Sequence, residues 1–506
     1  MASQGDHDAG PDLDAGVPVS AFDEKSLIQG HVDGEPVVLA RVGDEVLAVS
    51  ATCTHYGASL GDGILVGDTV RCPWHHACFS LRTGEALAAP AFDPVGCWTV
   101  ERHGDRIVVG DKISPEPSGA RDTAGDPQRI VIVGGGAAGF AAAEMLRRRG
   151  YAGQLTMLSA DGDAPYDRPN LSKDYLAGTA EEGWIPLRSP KYYARKQIDL
   201  QLGTSVERID PEARTVIAAD GRSFPFDRLL LATGAEPVRL PIPGADRENV
   251  FVLRSLADSR AIIAAAQNAG KVAIVGASFI GLEVAAALRE RGLEVHVAAP
   301  EATPLEKVLG PQLGAFIRSL HEEHGVHFHL GATAASIDDR SLKLSDGSEI
   351  EADFVVMGVG VKPRIALAAK AGIAVNSGVL VDAFLQTSVP EIYAAGDIAE
   401  WQADGERRRV EHWVLAERHG QAAAENMLGR NLPFSAPPFF WSAHYDVTIR
   451  YVGYARSWDS IEIDGSIERR DCLVEYRKAG KTVAIASIGR DIQALEFEAR
   501  MAEASS

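Results

Sequence analysis

The chain has little cysteine, no long apolar run and no excess of positive charge. Only five of its 506 residues are cysteine (Cys53, Cys72, Cys78, Cys97 and Cys472), and none forms a C-x-x-C pair. An odd, sparse set argues against a disulfide framework and fits a reducing cytoplasm. No apolar run reaches the length needed to span a bilayer, so no membrane partner is expected. Residues 1–16 are acidic and polar, with neither a basic start nor an apolar core. They read as a disordered tail rather than a signal peptide. Lys and Arg number 50 against 70 Asp and Glu, a net charge of −20. Nucleic acid would be repelled. An acidic face could steer a basic redox partner, although solubility explains the charge more simply.

What is present is long and ordinary in composition, with 46% hydrophobic and 24% charged residues over 506 positions. That length calls for about three to four domains. Residues 17–110 read as short strands. Val37–Arg41 and Val46–Ser50 flank a turn at Gly43-Asp44, and Trp98–Arg102 and Arg106–Val109 flank another at Gly104-Asp105. Residues 111–127 are rich in Pro, Gly, Ser and Asp and read as a linker. Beyond them the pattern changes to strand, glycine turn, helix and strand, starting at Arg129–Val133 and again at Lys271–Val275. Two doubly wound α/β domains are expected, the second inserted in the first, because the segment Ile392–Asp397 lacks a cofactor turn of its own. The expected boundaries are 128–248 with 365–432 for the first and 249–364 for the second. Residues 433–506 alternate as strands and end in a helix over Asp491–Met501, a separate α+β domain.

The first chemical signal is Cys53-Thr-His55, then sixteen residues, then Cys72-Pro-Trp-His75. Two matching loops, each with one Cys and one His, suit a 2Fe-2S cluster with Cys on one iron and His on the other. Two Cys and two His are also a zinc set, but zinc pairs usually run C-x₂₋₄-C and H-x₃₋₅-H, whereas each loop here mixes the two. Residues 17–110 resemble the Rieske family. That resemblance implies Cys53, His55, Cys72 and His75 as ligands. High-potential Rieske proteins carry a disulfide and Ser and Tyr hydroxyls by the cluster. Here the matching positions are Ala58 and Trp74, and Ala77 and Phe79. Lost donors to sulfur imply a low-potential cluster of the ferredoxin type. Cys78 and His76 lie outside the ligand pattern and read as a buried thiol and a solvated imidazole.

Two further signals are dinucleotide loops. Gly134-Gly-Gly136-Ala-Ala-Gly139 sits between a strand and the helix Phe140–Arg149, the context the motif requires. Gly134 permits the turn, Gly136 lets a pyrophosphate approach, and Gly139 lets helix pack on strand. Asp161 stands at the distance expected of a ribose-binding acid. The second loop is Gly276-Ala-Ser278-Phe-Ile-Gly281, with Ser278 in the middle glycine's place. Glu301 is the nearest acid after the next strand, Ala299 lies nearer the strand end, and no Arg follows to hold a 2′-phosphate. NADH is favoured over NADPH.

Leu230-Leu-Ala-Thr-Gly234 and Ile392-Tyr-Ala-Ala-Gly396-Asp397 each close a strand at a glycine turn. With the two loops they resemble the two-dinucleotide-binding-domain flavoproteins. Pro165-Tyr-Asp-Arg168-Pro-Asn-Leu-Ser172-Lys173, Glu411-His-Trp413 and Phe439-Phe-Trp441-Ser442 resemble the ferredoxin-reductase and apoptosis-inducing-factor branch. The likeness implies FAD held by the first loop, Thr233-Gly234, Gly396 and Asp397, with Asp397 on the ribityl chain. It implies Arg168 and Lys173 against the flavin, Lys173 paired with Glu283, and Trp413 lining the flavin or nicotinamide pocket. A surface ion pair and a plain core Trp are the competing readings. Dithiol reductases of this fold need a C-x-x-C, and peroxide-reducing relatives need a cysteine near Leu171-Ser172; neither is present.

The expected architecture is therefore a small all-β Rieske domain, two doubly wound α/β domains, one inserted in the other, and a C-terminal α+β domain. The expected function is electron transfer from NADH through FAD to a Rieske 2Fe-2S cluster and on to an external acceptor, an oxygenase or a haem monooxygenase. The alternative is an apoptosis-inducing-factor-like redox sensor or signalling protein; a third reading makes the Rieske domain only a docking module. A monomer and a homodimer are both compatible with the sequence.

Overall fold

The computed structural model describes residues 10–23, 26–115, 123–403 and 405–504. Its first unit is all β. A six-stranded antiparallel sheet runs Val17–Pro18, Arg106–Ile113, Cys97–His103, Glu45–Ser50, Glu35–Val42 and Leu27–Val32 in spatial order. A four-stranded sheet of short strands, Ile64–Val66, Thr69–Arg71, Cys78–Ser80 and Ala86–Ala88, carries the Cys/His loops at its end. Each sheet encloses its own apolar cluster, built by Val37, Leu39 and Trp98 in one case and by Leu60, Val70 and Phe79 in the other.

Two sequence expectations fail here. The sequence places residues 10–16 in a disordered tail, but Leu13 is fully buried and its amide donates to the His31 carbonyl. One apolar side chain among polar neighbours is enough to pin the segment to the sheet; residues 1–9 lie outside the described residues. The linker starts later than expected, because the last strand continues to Ile113. Residues 116–122 of that linker also lie outside the described residues.

The next unit is a five-stranded parallel sheet, ordered Ile198–Gln201, Gln154–Leu158, Arg129–Val133, Arg228–Leu231 and Ile392–Ala394. Its last strand arrives after an entire second parallel sheet, ordered Val250–Val252, Phe354–Met357, Lys271–Val275, Glu294–Ala299 and Val326–Leu330. One α/β domain is thus inserted in the other. Both central strands are runs of branched apolar residues buried on both faces, as parallel sheets require. Helix α1 (Ala137–Arg148) is buried from Ala137 to Leu146, because it lies between its sheet and a long helix over Trp413–Met427. Gly420 makes that approach feasible, since a Cβ there would stand 2.1 Å from the Ala138 carbonyl oxygen. Helix α2 (Phe279–Glu290) opens the inserted domain's glycine loop, and Trp413–Met427 is α3.

The C-terminal unit is a five-stranded antiparallel sheet, ordered Phe439–His444, Val447–Gly453, Lys481–Ile488, Asp471–Lys478 and Ser460–Ser466, backed by helix α4 (Asp491–Ala504). Among the described residues, no helix is long and apolar enough to cross a membrane.

Candidate functional site

The two Cys/His loops bring their donors together in pairs. His55 Nδ1 and His75 Nδ1 face each other at 3.2 Å. Burial pushes the His55 ring down to about 3 and holds His75 well below the usual imidazole range, so both are neutral. Two ring nitrogens this close must share a proton or a cation. The Cys53 and Cys72 thiols hydrogen-bond to each other, which raises Cys53 and lowers Cys72. Among the described residues, no group of three or more His, Cys, Asp or Glu is arranged around one ion. A Cys pair beside a His pair instead suits two irons with two protein ligands each. Ala58, Ala77 and Phe79 are buried beside the loops and offer no side-chain donor. Cys78, expected as a buried thiol, is half-buried, and desolvation raises its thiol. His76, expected as a solvated imidazole, is 1% exposed, has φ +62° and hydrogen-bonds Glu498 of α4. The sequence showed no partner for it, because Glu498 lies 422 residues away.

A cavity of about 1310 Å³ runs between the two α/β domains and reaches the C-terminal sheet. Gly134, Gly136, Asp161, Arg168, Lys173, Thr233, Gly234, Ser278, Glu283, Gly396, Asp397 and Trp413 all line it. Gly139, Gly276, Gly281 and Glu301 are not in its wall. Gly139 and Gly281 act in packing: a Cβ on either would fall 1.9 Å and 2.2 Å from the carbonyl oxygens of Gly134 and Gly276. Gly134 (φ +121°) and Gly276 (φ +106°) make the turns themselves. Glu301 lies outside, 3.5 Å from Lys307.

The first loop is built for an anion. Gly136 caps α1 without a side-chain bond, which leaves the helix's first N–H groups free toward the cavity. Arg168 closes the other side, and its buried Nε has no partner. The second loop differs. Ser278 Oγ accepts from Gly281 N at 3.2 Å and donates to the Gly358 carbonyl at 2.7 Å. A serine therefore replaces the middle glycine by capping α2 and tying it to the neighbouring strand.

Lys173 Nζ donates to Glu283 Oε2 at 2.7 Å. Glu283 is 5% exposed, so this is a buried pair and not a surface one. Ser172 and Ser442 also donate to Glu283, each at 2.6 Å. Asp161 accepts from the Tyr166 hydroxyl at 2.6 Å, and Thr233 Oγ1 donates to the Arg364 carbonyl at 3.0 Å. Trp413 stands 5.9 Å from the Arg168 guanidinium, between that charge and the core. Asp397 accepts from Arg254, a cavity residue that no sequence motif marked.

The cluster loops and the cavity meet. Trp441 lines the cavity, and its ring centroid lies 4.4 Å from that of His75. Tyr56 stacks on His55 at 4.0 Å and accepts from Asn170 at 3.0 Å. Arg450 Nε donates to the Trp74 carbonyl at 3.1 Å.

Three family matches cover most of this architecture. The Rieske [2Fe-2S] domain family matches residues 16–99, the pyridine nucleotide-disulphide oxidoreductase family residues 128–420, and the reductase C-terminal family residues 439–504. Apoptosis-inducing factor 3 of Homo sapiens is 31% identical over 90% of this chain and 78% of its own length. The 5,5′-dehydrodivanillate O-demethylase ferredoxin reductase subunit of Sphingobium sp. is 36% identical over 71% of this chain and 90% of its own. The solved covalent putidaredoxin reductase–putidaredoxin complex superposes with a TM-score of 0.72 at 31% identity, over 74% of this chain and 93% of that one. The chain belongs to the Rieske-bearing FAD/NAD-dependent ferredoxin reductases.

As a ferredoxin reductase of this kind it is an FAD-dependent oxidoreductase that uses NAD(H) and carries a 2Fe-2S cluster. The residues present fit those groups: the uncapped α1 and the unpartnered Arg168 Nε suit a pyrophosphate, and the paired Cys and His suit a Rieske centre. Sequence reasoning missed Trp441 as the bridge between cluster and cavity, Arg254, Arg450 and the cross-domain role of His76. Only Trp441 carried a signal, as part of the Phe-Phe-Trp-Ser motif.

Proposed function

We propose that this ferredoxin reductase oxidises NADH and delivers electrons, through its own Rieske domain, to an external protein acceptor, an oxygenase or a haem monooxygenase. The observation that carries the reading is the 4.4 Å contact between His75 and Trp441, which puts a proposed cluster ligand against the wall of the cofactor cavity. When bound, FAD accepts hydride from the nicotinamide and the cluster accepts electrons singly. The chain's own residues bind and orient. The α1 N-terminus and Arg168 would hold the FAD pyrophosphate, Asp161 a ribose and Asp397 the ribityl chain. The Gly276–Gly281 loop would seat NADH, with Glu301 at its far ribose. Lys173 and Glu283 would stand at the flavin, with Trp413 beside it, and Cys53, His55, Cys72 and His75 would ligate the irons. Trp441, on the edge strand of the C-terminal sheet, would stand between the two centres. NADH is the favoured nucleotide, because the residues after Ala299 include an acid and no Arg. Five cysteines, none of them in a disulfide, fit a reducing, cytoplasmic setting.

Anaerobic titration of the full-length protein with NADH, followed by absorbance and EPR, tests the reading. Flavin bleaching should be accompanied by a Rieske-type EPR signal. Bleaching with an intact but oxidised cluster would show the centres uncoupled and leave the sensor reading, favoured by the human relative's match across both domains, in its place.

A further inference from the structure

Three units of the chain meet on the carboxylate of Glu283. The residue stands on α2 of the inserted domain. Its Oε2 accepts from Ser172 at 2.6 Å and from Lys173 at 2.7 Å, both of the first α/β domain. Its Oε1 accepts from Ser442, on the C-terminal strand Phe439–His444, at 2.6 Å. Lys173 and Glu283 line the cofactor cavity, whereas Ser442 lies behind them. Two imidazoles follow Ser442. His444 Nε2 meets Ser442 Oγ at 3.1 Å, and His321 Nε2, from the helix Glu306–Glu323, meets His444 Nδ1 at 3.1 Å. Both rings are completely buried. Phe328 and Tyr445 confine the His321 ring, with centroids at 6.2 Å and 5.2 Å.

Elimination places the hydrogens. Burial holds the His444 ring at about 3 and the His321 ring at about 2, so each is neutral, with one N–H and one lone pair. A carboxylate only accepts, so the single hydrogen of Ser442 goes to Glu283. Ser442 Oγ then accepts from His444 Nε2, and the bare His444 Nδ1 accepts from His321 Nε2. What remains is a lone pair on His321 Nδ1, and that atom is buried with no partner. No N–H is stranded, and every hydrogen on the line points toward Glu283. Bonds aligned in one direction polarise one another. The line is static: its outer end is closed, and no proton passes along it.

We propose that Ser442 is a positioning residue for the Lys173–Glu283 pair, and that His444 and His321 hold its hydroxyl in the donating direction. The consequence at the flavin rests on the reductase reading above. Ser172 and Lys173 both bond Oε2, so among the described residues Ser442 alone holds Oε1. Without that bond the carboxylate is free to turn about its last carbon–carbon bond, and Lys173 Nζ turns with it. With the bond, the ammonium keeps one place on the cavity wall. The same bond pins the strand that carries Trp441, one residue before Ser442, against His75.

Two measurements test the proposal. In the oxidised full-length protein labelled with ¹⁵N-histidine, NMR shifts should place the proton on Nε2 of both His444 and His321. A proton on Nδ1 of His444 reverses the line and overturns the proposal. In the FAD-loaded full chain, Ser442→Ala should lower kcat for NADH-driven ferricyanide reduction by about tenfold, the scale of a small misplacement at a reacting centre. The KM for NADH should stay, because the Gly276–Gly281 loop is untouched. Ser442→Thr, which keeps the hydroxyl, should return kcat to near the wild-type value. An unchanged kcat in Ser442→Ala, or a Ser442→Thr variant just as slow, overturns the proposal. If a variant loses FAD, the NMR result, which needs no turnover, decides alone. A wild-type chain that reduces no ferricyanide with NADH sinks the reductase reading instead and leaves the NMR result standing.

Discussion

At the scale of the residue, the two glycine loops show how much chemistry one side chain decides. A Cβ on Gly136 would sit 3.5 Å from Arg168 Nη2, so the gap between loop and guanidinium is just the space an anion would take. Gly136→Val fills that gap with two methyl groups. The variant should purify folded but without the flavin absorbance band; normal flavin content would move the FAD site elsewhere. Arg450 makes a second case. Its guanidinium lies near the Cys72 thiol and pulls it down, and the same charge favours the reduced, more negative cluster. Asp491 pairs with it at 2.7 Å and offsets part of the effect. Arg450→Leu should shift the cluster midpoint downward in an EPR-monitored titration, from a wild-type value expected to be low for want of hydroxyl donors at Ala77 and Phe79. An upward shift would show that Arg450 does not act on the cluster through its charge.

At the scale of the element, helix α4 is the seat of the Rieske domain. Its Glu498 is 3% exposed and is held between the Arg418 guanidinium of α3 and the His76 ring. Burial alone would raise this carboxyl, but Arg418 and His76 hold it at about 2. Arg418 also donates to the His76 carbonyl at 3.1 Å, so three units of the chain share one buried charge pair. Glu498→Ala leaves Arg418 buried and unpaired, which should cost about 3–5 kcal/mol in urea unfolding. A cost under about 1 kcal/mol, the value of a surface pair, would mean that the pair is solvated in solution. None of this was legible in the sequence, where His76 is an imidazole beside a metal loop and Glu498 one acid of many on a terminal helix.

At the scale of the whole molecule, the Rieske domain is held at several points. Asp93 pairs with Arg188 at 2.9 Å, the Ala89 amide donates to Gln421 at 3.0 Å, and Arg148 reaches the Ala86 and Phe92 carbonyls. The ring of Phe92 packs on Phe140 of α1 at 5.0 Å. A protease site placed in the linker after Ile113 and cut should therefore leave both fragments co-eluting, with NADH still reducing the cluster. Fragments that separate at micromolar concentration would show that the linker, not the interface, holds the domains together.

The sequence by itself determined the chemistry. The Cys/His spacing and the two glycine loops between strand and helix are local patterns that local backbone geometry is enough to read, whereas Asp397 and Trp413 were marked through likeness to a family. It also marked the buried Lys173–Glu283 pair, but only through likeness to a family. Tertiary structure alone decided where the Cys/His loops sit relative to the cavity and that Leu13 anchors the N-terminal segment. Those facts rest on contacts between residues far apart in the chain, such as His75 with Trp441 and His76 with Glu498. No periodicity or spacing encodes them, because such pairs form only when separate cores pack against one another.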